Sequence, residues 1–235
     1  MRHAIYFTPP ANHPLTEQAA RWLGRDAFTG AQADLPKPGA IGQQLQLHYT
    51  RSPRRYGFHA TIVAPFTLAA NITTEGLEAA LATFCEEREP FELPSLELRE
   101  LGTFFALVSR QRGDQLAQLE SDAVEFFQYL RQPLVREDLE RREAGGLTGR
   151  QRELLLRWGY PFVKEEFRFH MTLTGAVSPK DKPAVRMALE EHFRDFLGKP
   201  LIFDRLAIFE EKTAGGPFKV KTIRHLSAAG TRKTA

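Results

Sequence analysis

Two histidines in this sequence each stand two residues before a threonine, inside runs that are otherwise apolar: Phe58-His59-Ala60-Thr61-Ile62 and Phe169-His170-Met171-Thr172-Leu173. Both quintets read aromatic, His, small or apolar, Thr, aliphatic. Alternate side chains of a β-strand point to opposite faces, so residues i and i+2 lie about 6.5 Å apart on one face. His59 then points with Thr61, and His170 with Thr172. The other face carries Phe58, Ala60, Ile62 and Ala64 in the first run, and Phe167, Phe169, Met171 and Leu173 in the second. That is the pattern of a strand seated on a core. A single His-x-Thr arises often by chance, whereas two in matching contexts mark a pair with a common use.

Two imidazoles and two hydroxyls facing one space suit displacement at phosphorus. Opening a cyclic phosphodiester takes a proton from the attacking water and gives one to the departing sugar oxygen, on opposite sides of phosphorus. With an unperturbed pKa of about 6.5, one imidazole can act neutral and the other protonated, and each such group typically contributes ~10²–10⁴-fold. Thr61 and Thr172 would donate hydrogen bonds to the non-bridging oxygens, where charge builds. The residue types assign neither histidine to either role. Zinc is the competing use of strand histidines, but it takes three or four His, Cys or carboxylate ligands, and the partners here are hydroxyls. No metal and no cofactor is expected.

The elements that must position these groups lie on either side of them. "RHAIYFTPP" predicts a strand, and "PLTEQAARWLG" a helix opened by Pro14 and closed by Gly24. The stretch 25–53, rich in Gly, Pro, Ala and Gln, reads mostly as loop with a short helical piece around "IGQQLQLHYT". The first motif strand follows from Arg55. Then comes "TTEGLEAALATFCEER", with Leu77, Leu81 and Phe84 on one face and Thr73 or Thr74 as N-cap. A hairpin of "FELPSLELREL" and "TFFALVSR" turns at Gly102. From Glu166 the order recurs: strand "EFRFHMTLTG", helix "DKPAVRMALEEHFRDFLG" ending at Gly198, and a hairpin of "PLIFDRLAIFEE" and "PFKVKTIRHL" around Gly215 and Gly216.

Between the halves, "RQPLVREDLERREAGGLTGRQRELLLRWGYPF" is too polar for a core and periodic enough for helices, with Thr148 and Gln151 spaced as a capping box. The expectation is a single α+β domain over 1–235. It comprises a first lobe at about 55–110, a helical insertion at about 131–163 serving as lid or brace, a second lobe at about 166–226, and a disordered tail 227–235. An approximate two-fold between the lobes would bring the two His-x-Thr pairs face to face across a central cleft.

By strand parity Arg55 and Arg168 share the motif faces, four and two positions before their histidines. Their forked guanidiniums make them candidates for holding a second phosphate. Tyr56 falls on the opposite parity and reads as core. His3, His13, His48, His192 and His225 have no partner pattern and read as packing or surface residues.

The chain of 235 residues is 42% hydrophobic, enough for a substantial interior. Net charge is only +3 and the basic residues are dispersed, which argues against a duplex-DNA binder and against a long RNA track. One cysteine, Cys85, excludes an intrachain disulfide framework and fits a reducing compartment. After "MRH" the apolar run "AIYF" is too short for a signal peptide, and nowhere is there an apolar stretch of ~20 residues. A soluble cytoplasmic protein without a membrane partner is expected.

Two His-x-Thr strands in a duplicated strand–helix–hairpin lobe resemble the two-histidine (2H) phosphoesterase superfamily, which includes RNA 2′,5′-ligases and cyclic phosphodiesterases. "RHAIYFTPP", "AARWLGRDAFTG", "RRYGFHAT", "GRQRELLLRWGYPFVKEEFRFHMTLTG" and "GGPFKV" are similar to a bacterial branch associated with phosphonate-metabolism (C–P lyase) operons, nearly end to end. The resemblance implies a bilobal α+β fold with antiparallel sheets around a cleft and metal-free chemistry on phosphodiesters. It puts His59, Thr61, His170 and Thr172 in the catalytic positions. It points to a small phosphorylated ribose cyclic phosphate such as 5-phosphoribosyl 1,2-cyclic phosphate. The alternatives are processing of RNA 2′,3′-cyclic phosphate ends, 2′,5′ RNA ligation, and a non-catalytic nucleotide- or RNA-binding module.

Overall fold

The computed structural model describes residues 1–36, 39–111, 113–143 and 145–227. The chain opens with β1 (Arg2–Phe7), α1 (Pro14–Leu23) and α2 (Gln43–Tyr56). A first half follows: β2 (Ala60–Phe66), α3 (Thr74–Glu86), the short β3 (Phe91–Leu93) and the hairpin β4 (Leu96–Leu101) and β5 (Phe104–Ser109). After the linking helices α4 (Asp114–Phe126), α5 (Arg136–Glu143) and α6 (Gly149–Trp158) and a 3₁₀ turn at Lys164–Glu166, the same order recurs. The second half is β6 (His170–Thr172), α7 (Lys182–Phe193), the short β7 (Leu201–Phe203) and the hairpin β8 (Arg205–Glu211) and β9 (Phe218–His225). The class is α+β, with two lobes of like design. The proposed tail, apart from Ser227, lies outside the described residues.

Like elements of the two halves pair with each other. The short strands β3 and β7 form a two-stranded sheet, and the motif strands β2 and β6 meet at Ala60 and Met171. Around that meeting the antiparallel sheets of the lobes join in the order β4-β5-β6-β2-β1-β8-β9. Partners are exchanged: the second motif strand lies beside the first half's hairpin, and the first lies on the side of the second half's hairpin. β1 breaks the symmetry by sitting between β2 and β8.

One face of the sheet carries Ile5, Phe7, Ala60, Ile62, Leu107 and Met171, packed under apolar stripes of α1, α3, α4 and α7. Phe203 is fully buried in this core, stacked on Phe7 at 4.3 Å and on Phe91 at 4.8 Å between ring centroids, contacts worth more than their buried area alone. Helix boundaries follow local chemistry. His13 caps α1 through Nδ1, which accepts the Leu15 N–H, and Gly24 closes it. Thr73 caps α3, and Thr148 and Gln151 make the reciprocal capping box at α6.

The helical piece expected around 41–50 runs longer, and the reading of Arg55 and Tyr56 as strand residues is corrected. Both belong to α2, which runs through Pro53 and ends at Gly57, whose φ is 79°. Pro53 has no N–H, so the Tyr49 carbonyl four residues earlier loses its helical donor. The Gly175 N–H, just past the second motif strand, takes that place at 2.6 Å. Two more bonds hold the same end of β6: Trp22 Nε1 donates to the Leu173 carbonyl at 3.0 Å, and the Phe105 N–H donates to Thr174 Oγ1 at 2.9 Å. At the first motif, Thr8 Oγ1 donates to the Phe58 carbonyl at 2.9 Å.

Thr174 is fully buried. Thr174→Val should therefore leave a buried N–H unpaired and destabilise the fold by about 1–3 kcal/mol. A shift in the urea midpoint at constant slope is the expected observation, and an unchanged midpoint would show that the bond does not hold β6.

Candidate active site

Extending the Ala60–Met171 pairing by one residue each way sets Thr61 opposite His170 and His59 opposite Thr172. All four project from the face opposite the core, each half-buried, while Ala60 and Met171 between them are fully buried. Each histidine is thus flanked by two hydroxyls, one from its own strand and one across the ladder. Thr61 Oγ1 lies 3.3 Å from His59 Nε2.

The two rings are anchored alike. His59 Nδ1 lies 2.9 Å from the Gly57 carbonyl, and His170 Nδ1 lies 2.7 Å from the Arg168 carbonyl. A carbonyl only accepts, so each Nδ1 carries the proton and each Nε2 presents a lone pair away from the backbone. Burial pushes the His59 imidazole down to about 4, against the opposing pull of its bond to Gly57, and the proximity of His170 lowers it further. Burial also holds His170 below its ordinary value. His59 is walled by aromatic rings: Tyr6 stacks on it at 3.8 Å and 17°, Phe209 lies at 5.9 Å and Tyr56 at 6.2 Å. His170 faces the open side, with Phe104 at 5.8 Å.

That open side is a cavity of 620 Å³. Thr61, Arg168 and His170 line it, with Phe104 from β5 and Gln151, Tyr160, Phe162 and Glu166 from the helical segment that roofs it. Arg168 is exposed at the cavity wall, and among the described residues no carboxylate lies within ion-pair distance of it. Arg55 differs. From the last turn of α2 its Nη2 binds Glu211 and its Nε donates to the Gly216 carbonyl at 3.0 Å. Glu211 is fully buried and also accepts from Arg2. Burial alone would raise the Glu211 pKa, but the bonds from Arg2 and Arg55 outweigh it and hold the carboxyl below its ordinary range. The parity argument that set Arg55 beside His59 fails because the residue is helical, and its guanidinium is engaged in fastening the β8–β9 turn to α2.

Sequence reasoning passed over Tyr6, Phe104, Gln151 and Glu166. Tyr6 reaches His59 only because β1 lies beside β2 with Tyr6 opposite Thr61, a pairing without local signal. Glu166 could have been found, since burial alternates from Glu166 through Phe167, Arg168, Phe169 and His170. Among the described residues no three His, Cys, Asp or Glu side chains converge as metal ligands, and no helix is long and apolar enough to cross a membrane.

Tyr6 is the side chain that shields His59 most closely, so Tyr6→Leu should raise the His59 pKa from about 4 toward the ordinary 6.5. The ring protons followed by NMR across pH report it. The folded protein binds fewer protons at His59 than the unfolded chain between these values, so stability falls as pH drops from about 6.5 to about 4. In the variant that fall should be shallower. A titration unmoved by the substitution would remove Tyr6 from this role.

Among curated proteins, the chain is 37% identical over 221 residues to "Ribose 1,5-bisphosphate phosphokinase PhnN" of Janthinobacterium sp. (strain Marseille), covering 92% of this chain and 49% of that one. The protein of the same name from Laribacter hongkongensis (strain HLHK9) is 32% identical over 231 residues, covering 98% of this chain and 53% of that one. The chain therefore spans about half the length of the curated relatives it matches. Among solved structures, E. coli LigT complexed with 3′-AMP aligns over 96% of this chain and 98% of that one at 13% identity and a TM-score of 0.43. The family model described as "Protein of unknown function (DUF1045)" matches residues 61–219, a span that opens at Thr61, just after His59, and includes His170 and Thr172, and the chain belongs to this family.

Proposed function

We propose that the chain is a metal-independent cyclic phosphodiesterase that opens 5-phosphoribosyl 1,2-cyclic phosphate. The observation that carries this is the twin anchoring of His59 and His170: two Nε2 lone pairs on one sheet face, each between two hydroxyls. One Nε2 takes a proton from water as its oxygen bonds to phosphorus. The other, protonated, gives its proton to ribose O2 as the P–O2 bond breaks. A bound phosphate dianion favours the charged imidazole, which offsets the burial that keeps both rings neutral in the free protein. Thr61 and Thr172 donate to the non-bridging oxygens as charge accumulates there, and Arg168 holds the 5-phosphate.

The product of breaking that bond is ribose 1,5-bisphosphate, the compound in the name of both curated relatives. A chain that makes it would act immediately before a phosphotransfer step that consumes it. Breaking P–O1 instead would give a 2,5-bisphosphate with no such fit. Processing of RNA ends is the competing reading, and among the described residues lining the cavity Arg168 is the only arginine or lysine, which weighs against a polymer.

Side-by-side kinetics on 5-phosphoribosyl 1,2-cyclic phosphate, its unphosphorylated counterpart and a short RNA with a 2′,3′-cyclic end test the proposal. The first should have the highest kcat/KM, and faster turnover of the RNA would replace this reading with the competing one. His59→Ala and His170→Ala should each lose ~10²-fold or more while retaining the fold by circular dichroism. Activity should persist after exhaustive chelation, and loss with EDTA followed by recovery with zinc or manganese would overturn metal independence.

A further inference from the structure

We propose that Glu166, held in the cavity by Gln151, accepts a hydrogen bond from a sugar hydroxyl of the substrate, so that the site recognises a free hydroxyl of the sugar as well as its phosphates. The inference rests on the phosphodiesterase reading and adds the group that recognises the sugar. Glu166, Arg168 and His170 line one cavity, spaced by the buried Phe167 and Phe169. The carboxylate is preorganised from the helical segment above it. Gln151 Oε1 accepts the Thr148 N–H at 3.1 Å, the Gln151 N–H donates to Thr148 Oγ1 at 3.2 Å, and Gln151 Nε2 donates to Glu166 Oε2 at 2.9 Å. Both ends of the Gln151 amide are committed, so it fixes one Glu166 oxygen and leaves the other to a ligand.

Charge decides which ligand group that is. The other carboxylate in the cavity, Glu100, is compensated by Lys182 and Arg186, whereas among the described residues no lysine or arginine lies within ion-pair distance of Glu166. An ionised carboxylate accepts hydrogen bonds only, and one standing next to a phosphate held by Arg168 would repel it. A hydroxyl between them removes the conflict by donating to Glu166. In a 1,2-cyclic, 5-phosphorylated ribose the one free hydroxyl is O3, on the carbon between the ring's two phosphorylated ends. If Glu166 only fastened α6 to the approach to β6, its loss would affect all ligands alike.

The test compares two ligand pairs in the wild type, Glu166→Gln and Glu166→Ala: the cyclic substrate with its 3-deoxy form by kcat/KM, and methyl ribofuranoside 5-phosphate with its 3-deoxy form by calorimetric Kd. The wild type should prefer the 3-hydroxy member of each pair by about 10- to 100-fold, the range for a hydrogen bond to a charged group. The preference should fall in Glu166→Gln and vanish in Glu166→Ala. Equal preference in the wild type and Glu166→Ala, or no preference in the wild type, overturns the inference. A Glu166-dependent preference in binding without turnover of either cyclic compound supports it and sinks the phosphodiesterase reading alone.

Discussion

The site depends on one backbone pairing, Ala60 with Met171, where the sheets of the two lobes join. Because side chains alternate along each strand, this register sends both histidines and both threonines to the same face and sets each histidine opposite the other motif's threonine. A slip of one residue on either strand would turn that strand's pair into the core. Register is defended from the other side, where Ala60 and Met171 are fully buried among the residues under α1, α3, α4 and α7. β6 has only three residues, too few to hold register alone, so neighbours on α1, α2 and β5 supply hydrogen bonds to its trailing end.

The electrostatics follow from what the fold leaves unpaired. Two imidazoles lose water and lose basicity with it, and a backbone carbonyl two residues earlier fixes each tautomer. Of the two arginines near the motifs, one is consumed by the buried carboxylate of Glu211 and the other is left at the cavity wall. The surroundings are unequal as well: His59 is enclosed by rings, and His170 opens on the cavity. A symmetric pair of histidines thus sits in asymmetric surroundings, and the ring stacked most closely on His59, Tyr6, comes from β1, the strand that the repeat does not contain.

Much of this was legible in the sequence because the signals were local. The periodicity of α3 with its Thr73 cap, the box at Thr148 and Gln151, the turn at Gly102 and both His-x-Thr quintets need only a few neighbouring residues to be recognised. Illegible were features fixed by distant pairings: the exchange of hairpins between halves, the stack of Tyr6 on His59, and the burial of Glu211 under two arginines. Pro53 hid the last turn of α2, since proline inside a helix reads as a stop. That in turn misassigned Arg55. α4 lacks such a boundary signal: Leu116, Leu119 and Ala123 form an ordinary helical stripe on the core, but its N-cap is Gly113, with no capping side chain.

Pro53 also ties the motion of a peripheral helix to the motif strand. The carbonyl it frees serves Gly175, so the last turns of α2 and the end of β6 share a hydrogen bond that neither element would form by itself. Fraying of that helix would expose an amide that lies just beyond β6. In deuterium exchange, the Gly175 proton is therefore expected to follow the opening of α2 rather than that of β6, making one backbone amide an internal clock for how often the two come apart.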